Sequence, residues 1–359
     1  MHIDISALKG RLKGFFAHRH GVFVAALIGL ALSLPMLGNG YFMDDYQQRI
    51  TLLGGDVNGN AFDFFTRGSP VADAQFQSGV LPWWHWPESK TRFFRPVAQW
   101  LMQIDYRWWP DSLPLMHLHS LLWYGLLIVA AGFVYRAFTP APWVAGLAVV
   151  LFAVDSAHAG AVAWLANRNV LVCLLTGLLC LLCHHRGGAL GMLAGWALFC
   201  LGMATGEAAL AITGYLFAYE VFLSPRPLWL RALRLLPYAL IALGWMAWWR
   251  VGGYGTAGPG FYIDPGQEPL RFLHEMLFRA PAYLAGWFFV PSADIFGLLL
   301  GPATRIPTLI YALLLLALLA WLLLPLLRAS AQARFYALGM LIALIPICGG
   351  AVVSRSLWY

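Results

Sequence analysis

The chain has 359 residues, of which 60% are hydrophobic and 11% are charged, and its formal net charge is +7. A soluble domain usually carries about 25% charged residues, so this composition excludes a soluble globular protein and predicts a polytopic membrane protein. The basic residues are scattered over short segments between apolar runs, which excludes a nucleic-acid partner and suits contact with anionic membrane lipids.

Uncharged apolar runs, in chain order, mark the segments that could cross about 30 Å of hydrocarbon. We predict about nine spans, near 21–38, 113–135, 142–156, 169–183, 189–205, 208–223, 235–249, 306–327 and 335–353. A further apolar stretch, 281–300, is interrupted by Pro291 and Asp294 and is interpreted as re-entrant or interfacial. The predicted fold class is therefore all-α, a helical transmembrane protein.

The Lys and Arg residues predict the orientation of these spans. With a cytoplasmic N-terminus, the inner segments carry most of the basic residues, whereas Asp4 and Glu220 are their only acids. We expect a multi-pass protein of a bacterial inner membrane with this orientation. Residues 1–359 then form one transmembrane domain with outer loops at 39–112 and 250–280, and the abrupt ending after the last span suggests that sequence is missing at the C-terminus.

The first outer loop ends in a predicted helix. Pro96 suits the first helical position, and apolar residues recur at helical spacing after it, at Val97, Trp100, Leu101, Ile104 and Trp108. An amphipathic helix of this kind is expected to lie along the membrane interface.

Asp44 and Asp45 directly follow the first span and are the first candidate site. A carboxylate at the membrane surface can act as a general base or bind a cation. The alternative is a pair of solvated acids that only terminates the span.

Arg168, in Asn167-Arg168-Asn169, opposes the inside-positive bias and has no acid within four residues on either side. It could bind an external anion, or it could belong to a polar outer turn. Glu207 lies between two predicted spans, where a carboxylate at membrane depth would cost about 2.5–3.5 kcal/mol; it is either a site residue or a loop acid. His119, in the second span, is more simply explained as a satisfied core side chain.

All five cysteines fall in apolar spans, so no disulfide framework is expected in the outer loops. The stretch from Cys180 to His184 matches a haem-attachment pattern, but it lies at the predicted inner end of a span, so we reject that reading. The sequence contains no metal-ligand cluster of recognisable spacing and no nucleotide-binding fingerprint.

The order of these motifs resembles the GT-C superfamily of membrane glycosyltransferases, and is most similar to bacterial relatives of the protein O-mannosyltransferases and TMTC-type enzymes. The motifs that carry the resemblance are the acid pair, Phe93 to Pro96, Leu115 to His119, Phe152 to His158, Ala163 to Asn169, and Glu207. The chain departs from the family pattern at Asp155-Ser156, Asn169-Val170 and Gly206, where the family has His-Pro, an acid and a lysine.

The resemblance implies a polyprenyl-phosphate-linked sugar donor, an acceptor that is protein, glycan or lipid, and transfer on the outer, periplasmic face. It implies that Asp44 or Asp45 is the catalytic base. Arg168, Arg95 and Arg355 are the candidate phosphate ligands, because guanidinium groups grip phosphate in a bidentate fork. Glu207, Asp264, Tyr262 and His119 are expected to support the site. The resemblance establishes no cofactor and leaves a divalent metal open.

Two other functions are compatible with the sequence. The chain could transport or flip a lipid-linked sugar, although its polar residues gather on one side instead of lying at mid-span, as a transporter would favour. It could also be a catalytically inactive binding or scaffold subunit, given the departures from the family motifs.

Overall fold

The computed structural model describes a chain that is almost entirely helical, which confirms the predicted all-α class. The residues described are 5–54, 59–64, 70–79, 90–257, 262–301 and 303–350. Within them, the strands β1 (Lys90–Arg92) and β2 (Gly255–Ala257) form a two-stranded antiparallel sheet. Arg355 and the tryptophan-rich stretch 83–87 fall outside the described residues.

The helices of the N-terminal half follow the predicted spans and loop. They are α1 (Ile5–Ala17), α2 (Gly21–Ser33), α3 (Asp44–Leu53), α4 (Pro70–Gln77), α5 (Pro96–Trp108), α6 (Leu113–Phe138), α7 (Pro142–Val154) and α8 (Ala159–Ala163). A 3₁₀ turn, Leu34–Gly38, extends α2, and two more, Ser156–His158 and Leu165–Asn167, flank α8.

The C-terminal half continues as a series of helices joined mostly by short turns. They are α9 (Arg168–Arg186), α10 (Gly188–Thr205), α11 (Ile212–Phe222), α12 (Leu228–Val251), α13 (Pro269–Phe288), α14 (Ala293–Leu298), α15 (Arg305–Ala329) and α16 (Ala331–Ile347). The 3₁₀ segment Glu207–Ala211 leads into α11.

Six helical segments of the described chain are long and apolar enough to cross a membrane, and a seventh is added if α7 and the bent segment after it count as one. The six are Gly21–Gly38, Leu113–Phe138, Leu165–Arg186, Gly188–Thr205, Leu228–Val251 and Arg305–Ala329. The predicted spans near 208–223 and 335–353 correspond to α11 and α16, which are 11 and 17 residues long; of the two, α16 is a short apolar helix. The total of nine spans stays a prediction.

The helix α9 lies at the centre of the fold. Its apolar window is 78% buried, the largest share among the candidate spans. Leu171 packs with Leu127 and Ile128 of α6 in one core cluster, and Leu181 packs with Phe199 and Leu216 in a second. By contrast, the windows of α12 and α15 are only 6% buried. Their apolar surfaces are suited to lipid, which solvates leucine as well as a protein core does.

Close helix approach in the N-terminal part depends on a missing side chain. A Cβ atom at Gly132 of α6 would lie 2.5 Å from Cγ1 of Val22 in α2. Glycine therefore lets the Val22 side chain pack against the backbone of α6, as small residues allow close approach between membrane helices.

The described polar contacts divide the molecule into two ends. We call the end that carries residues 39–54, 90–112, 155–168 and 206–211 the loop end, and the opposite end, with the turns at 139–141, 187 and 223–227, the turn end. At the turn end, Arg136 donates to the carbonyl oxygens of His18 and Arg19, 2.7 Å each. His184 there contacts Glu220 at 2.7 Å, so a structural ion-pair network accounts for the histidine of the haem-like pattern.

The stretch predicted to be interrupted is broken as expected. The helix α13 ends at Phe288, and α14 starts at Ala293. Arg305, the first residue of α15, donates to Glu275 near the start of α13 at 2.8 Å. The start of α15 therefore lies beside the first half of α13, and the re-entrant or interfacial nature of 281–300 stays a prediction.

Candidate functional site

The acid pair opens the helix α3 at the loop end. Met43 precedes it with φ = 45°, and Asp44 and Asp45 are the first two helical residues. Carboxylates are stabilised at a helix N-terminus by the partial positive charge of the backbone N–H groups. Because consecutive helical residues project about 100° apart, the two side chains enter different surroundings.

Asp45 points into the protein and is fully buried. Its carboxylate accepts hydrogen bonds from the backbone N–H of Phe42 (2.9 Å) and of Ala166 (2.7 Å). Burial raises the pKa of Asp45 to about 6; the two N–H groups oppose this shift and the charge of Asp44 adds to it. The contacts identify Asp45 as the anchor that joins the first loop to the segment before α9.

Asp44 is half-buried, and its carboxylate has no hydrogen-bond partner among the described residues. Burial raises the pKa of Asp44, and the nearby Arg95 guanidinium partly offsets that effect. A carboxylate that is partly desolvated, accessible and free of hydrogen bonds is a competent proton acceptor.

Arg95, the residue before α5, pairs with Glu207 across 112 positions of sequence. Its Nε and Nη2 atoms lie 2.9 Å and 2.8 Å from the same oxygen, Glu207 Oε2. The guanidinium also covers the ring of Phe93 at 4.3 Å from the centroid. The other oxygen of Glu207 is buried with no described partner, so the carboxylate has unused capacity to accept a hydrogen bond.

Tyr262 lies near these charges. Burial raises its pKa; Arg95 lowers it, and Asp44 and Glu207 raise it. We call Asp44, Arg95, Glu207 and Tyr262 the Asp44 cluster. It contains two carboxylates and one guanidinium. Arg95 could therefore bind a phosphate only if the phosphate displaced Glu207 from the guanidinium, or if another cation contributed.

Aromatic side chains from both predicted outer loops line this cluster. Phe93 lies 6.3 Å from the rings of both Trp249 and Tyr262. Beside it, Arg92 covers the ring of Tyr254 at 4.9 Å, and the β1–β2 pairing joins the two loops. The two outer loops therefore build one surface at the loop end.

Asp264 does not join the described contacts of the Asp44 cluster. Its carboxylate accepts from the backbone N–H of Gly266 (2.7 Å) and from the side chain of Gln267 (3.1 Å). These local bonds order the turn before α13. The structure therefore gives Asp264 a turn-forming role, in place of the supporting role expected in the site.

Arg168 has an internal partner, so the reason for assigning it to an external anion was wrong. It is 2% exposed. It donates through Nη1 to Asp105, through Nε to Ser120 Oγ (2.8 Å) and through Nη2 to the carbonyl oxygen of Met116 (2.8 Å). The acid was missed because it lies 63 residues away, on α5.

His119 contacts the same acid. Its Nδ1 atom lies 2.6 Å from Asp105 Oδ1. We call Asp105, His119, Ser120 and Arg168 the Asp105 cluster. Sequence reasoning missed Asp105 altogether; the available signal was an isolated acid among apolar residues, one helical turn after Leu101 on the same face of α5.

No group of three or more His, Cys, Asp or Glu side chains in the part of the chain that the structure describes could hold a metal ion. Asp44 with Glu207, and Asp105 with His119, each supply only two such side chains.

No protein-family model, no curated protein and no solved structure matches this chain.

Proposed function

We propose that the chain is a membrane glycosyltransferase of the GT-C type, which transfers a sugar from a polyprenyl-phosphate donor to a hydroxyl-bearing acceptor at the loop end. The observation that carries this proposal is the Asp44 carboxylate: half-buried, without a described hydrogen-bond partner, and beside a guanidinium. The second support is the resemblance of the motif order to that superfamily.

Asp44 would act as the general base. It takes the proton of the acceptor hydroxyl, the acceptor oxygen forms a bond to the anomeric carbon, and the bond from that carbon to the phosphate oxygen breaks. The phosphate leaves with the electron pair of the broken bond. A positioned base contributes roughly 10²–10⁴-fold to such a step.

Arg95 would stabilise the departing phosphate. Its guanidinium is held by Glu207, and a phosphate with greater charge than a carboxylate can compete for the same N–H groups. Glu207 would then hold Arg95 in place between turnovers. Since the donor is a lipid, it would approach from the side, past the apolar face of α12, which is almost entirely exposed.

The test uses membranes of a strain that lacks the gene, supplemented with the wild-type chain or with Asp44→Asn. A radiolabelled polyprenyl-phosphate hexose is added, and label is counted in the protein, glycan and lipid fractions and inside sealed vesicles. Asn is nearly isosteric but a poor proton acceptor, so Asp44→Asn should lower transfer by about 10²–10⁴-fold. Equal transfer by both chains, or movement of label across vesicles without transfer, would exclude Asp44 as the base.

The same membranes, carrying Glu207→Gln, test whether the donor phosphate displaces Glu207 from Arg95. This change removes the carboxylate that competes with the phosphate, so donor binding should tighten. Arg95→Gln removes the guanidinium and should weaken it, by roughly 1.5–3 kcal/mol or one to two decades. Weaker donor binding in Glu207→Gln would count against the exchange and leave Asp44 as a separate question.

A further inference from the structure

The Asp105 cluster holds an imidazole in one defined orientation. Asp105 is 2% exposed, and Arg168 donates to its Oδ2 while His119 Nδ1 lies 2.6 Å from its Oδ1. Asp105 Oδ1 therefore lies where it can accept the hydrogen of His119 Nδ1.

The tautomer of His119 follows from these contacts. Arg168 Nη1 also lies 3.1 Å from His119 Nδ1, but a guanidinium can only donate, and that nitrogen already donates to Asp105. The shorter contact to Asp105 decides the assignment: Nδ1 carries the hydrogen, and in the neutral imidazole Nε2 carries the lone pair. Nε2 has no partner among the described residues, and the His119 side chain keeps 15% of its surface exposed.

Two tryptophans flank this imidazole. The ring centroids of Trp109 and Trp123 lie 6.4 Å and 6.1 Å from that of His119. The indole N–H groups of both are buried and have no described acceptor. The two side chains are half-buried, so a ligand would contact their rings and not their N–H groups.

The cluster is separate from the Asp44 cluster. Arg95 immediately precedes α5, and Asp105 lies ten residues further along it. At 1.5 Å per helical residue, the backbone positions are about 15 Å apart. One imidazole and two aromatic rings thus gather at a second position of the loop end.

We propose that His119, Trp109 and Trp123 form a binding subsite for the pyranose ring of a carbohydrate. A sugar hydroxyl donates to Nε2, and the apolar C–H face of the sugar ring packs against the two indole rings. Asp105 and Arg168 are positioning residues that fix the tautomer. The subsite rests on its own contacts and does not require transfer at Asp44.

The test measures acylation of His119 by diethyl pyrocarbonate, which reacts with an unprotonated imidazole nitrogen. The full chain, purified in lipid nanodiscs, is treated with and without a panel of methyl glucosides, mannosides, galactosides and N-acetylglucosaminides, and the modified peptides are quantified by mass spectrometry. At least one glycoside should slow the acylation of His119 about five-fold when its free concentration is about four times its Kd. The exposed His274 serves as the internal control and should react at an unchanged rate.

Matched tryptophan variants assign the effect. Trp123→Leu should abolish protection while His119 stays reactive, whereas Trp100→Leu, at an exposed position of α5, should leave protection intact. An unreactive His119, protection by none of the glycosides, or protection that survives in Trp123→Leu would overturn the subsite. Protection measured in Asp44→Asn separates the two proposals, because it should persist whether or not that variant transfers sugar.

Discussion

Two neighbouring carboxylates at the loop end differ because of what surrounds each of them. Burial raises the pKa of both Asp44 and Asp45. The Asp45 carboxylate accepts hydrogen bonds from two backbone N–H groups, whereas the Asp44 carboxylate has no hydrogen-bond partner among the described residues. At the scale of single residues, one acid therefore anchors the loop and the other is available for chemistry.

The raised pKa of Asp45 predicts a pH-dependent contribution to stability. The folded chain binds this proton below about pH 6, whereas an unfolded aspartate binds it only below about pH 3.9. Between these values the folded state holds more protons, so the Asp45 contribution to the free energy of unfolding falls as the pH rises through the window. The difference in thermal midpoint between wild type and Asp45→Asn, in detergent, should move in favour of wild type from pH 7 to pH 4. A difference that is constant with pH would contradict the assignment.

Removing Arg168 should destabilise the protein, since it leaves Asp105 as an uncompensated buried charge. Such a change typically costs about 3–5 kcal/mol. Arg168→Ala should therefore lower the thermal midpoint strongly, and its donor affinity should not change beyond what the loss of folded protein explains. Arg271→Ala is the matched control, because its ion pair with Glu268 is exposed and should be worth about 0–1 kcal/mol. Similar midpoints for the two variants would contradict this prediction.

The sequence predicted which residues belong to the candidate site, but not which residues they pair with. Asp44 was identifiable because an acid pair directly after an apolar span is conspicuous. The pairings of Arg95 with Glu207 and of Arg168 with Asp105 join residues 112 and 63 positions apart. A single sequence carries no local pattern for such contacts, since they depend on how the helices pack.

At the scale of elements, the apolar pattern of α5 predicted the helix but not the face that is buried. Pro96 and the helical spacing of apolar residues predicted the helix correctly. The face that turns inward carries Leu101, Asp105 and Tyr106, however, while Trp100 and Trp108 of the predicted stripe are 60% and 71% exposed. Hydropathy alone predicts that Asp105 faces outward. It is buried because its carboxylate is paired with the buried guanidinium of Arg168.

The pairing of β1 with β2 predicts a specific cross-link between the two outer loops. Thr91 lies opposite Thr256, and opposed residues of an antiparallel pair have Cα atoms about 4.5–5.5 Å apart, within disulfide range. Thr91→Cys with Thr256→Cys, in a chain with Cys200→Ala, should form a disulfide that peptide mapping detects. The pair Lys90→Cys with Gly255→Cys is out of register and should form it much less; equal yields would show that the register is different.

At the scale of the whole molecule, the helical class and the long spans followed from composition, because a chain in lipid must satisfy its backbone hydrogen bonds internally. The exact bounds of α11 and the bend after α7 did not follow from hydropathy. Their ends are set by polar contacts, for example the hydrogen bond from Ala157 N–H to Asp155 at that bend. The inside-positive arrangement of the Lys and Arg residues stays a prediction.

The orientation itself is testable with two single cysteines. Gln77 in α4 belongs to the first loop and Ala329 to the turn end, and both are exposed. If the N-terminus is cytoplasmic, Gln77→Cys should react with an impermeant maleimide in intact cells, and Ala329→Cys should react only after permeabilisation. Chains with Cys200→Ala and no added cysteine provide the background. The opposite pattern would place the Asp44 cluster on the cytoplasmic side.

The helix α5 also makes the two polar clusters mechanically dependent on each other. Arg95 lies at the start of this helix and Asp105 near its end. The exposed Trp100 lies between them, and the exposed Trp108 follows Asp105. A helix of 13 residues is about 20 Å long, so a tilt of roughly 5° about its middle displaces its two ends by about 0.9 Å in opposite directions. A misplacement of about 1 Å can cost a reaction 10²-fold. If α5 lies along the membrane interface, as its sequence predicts, bilayer thickness or a substituted tryptophan would shift both clusters at once.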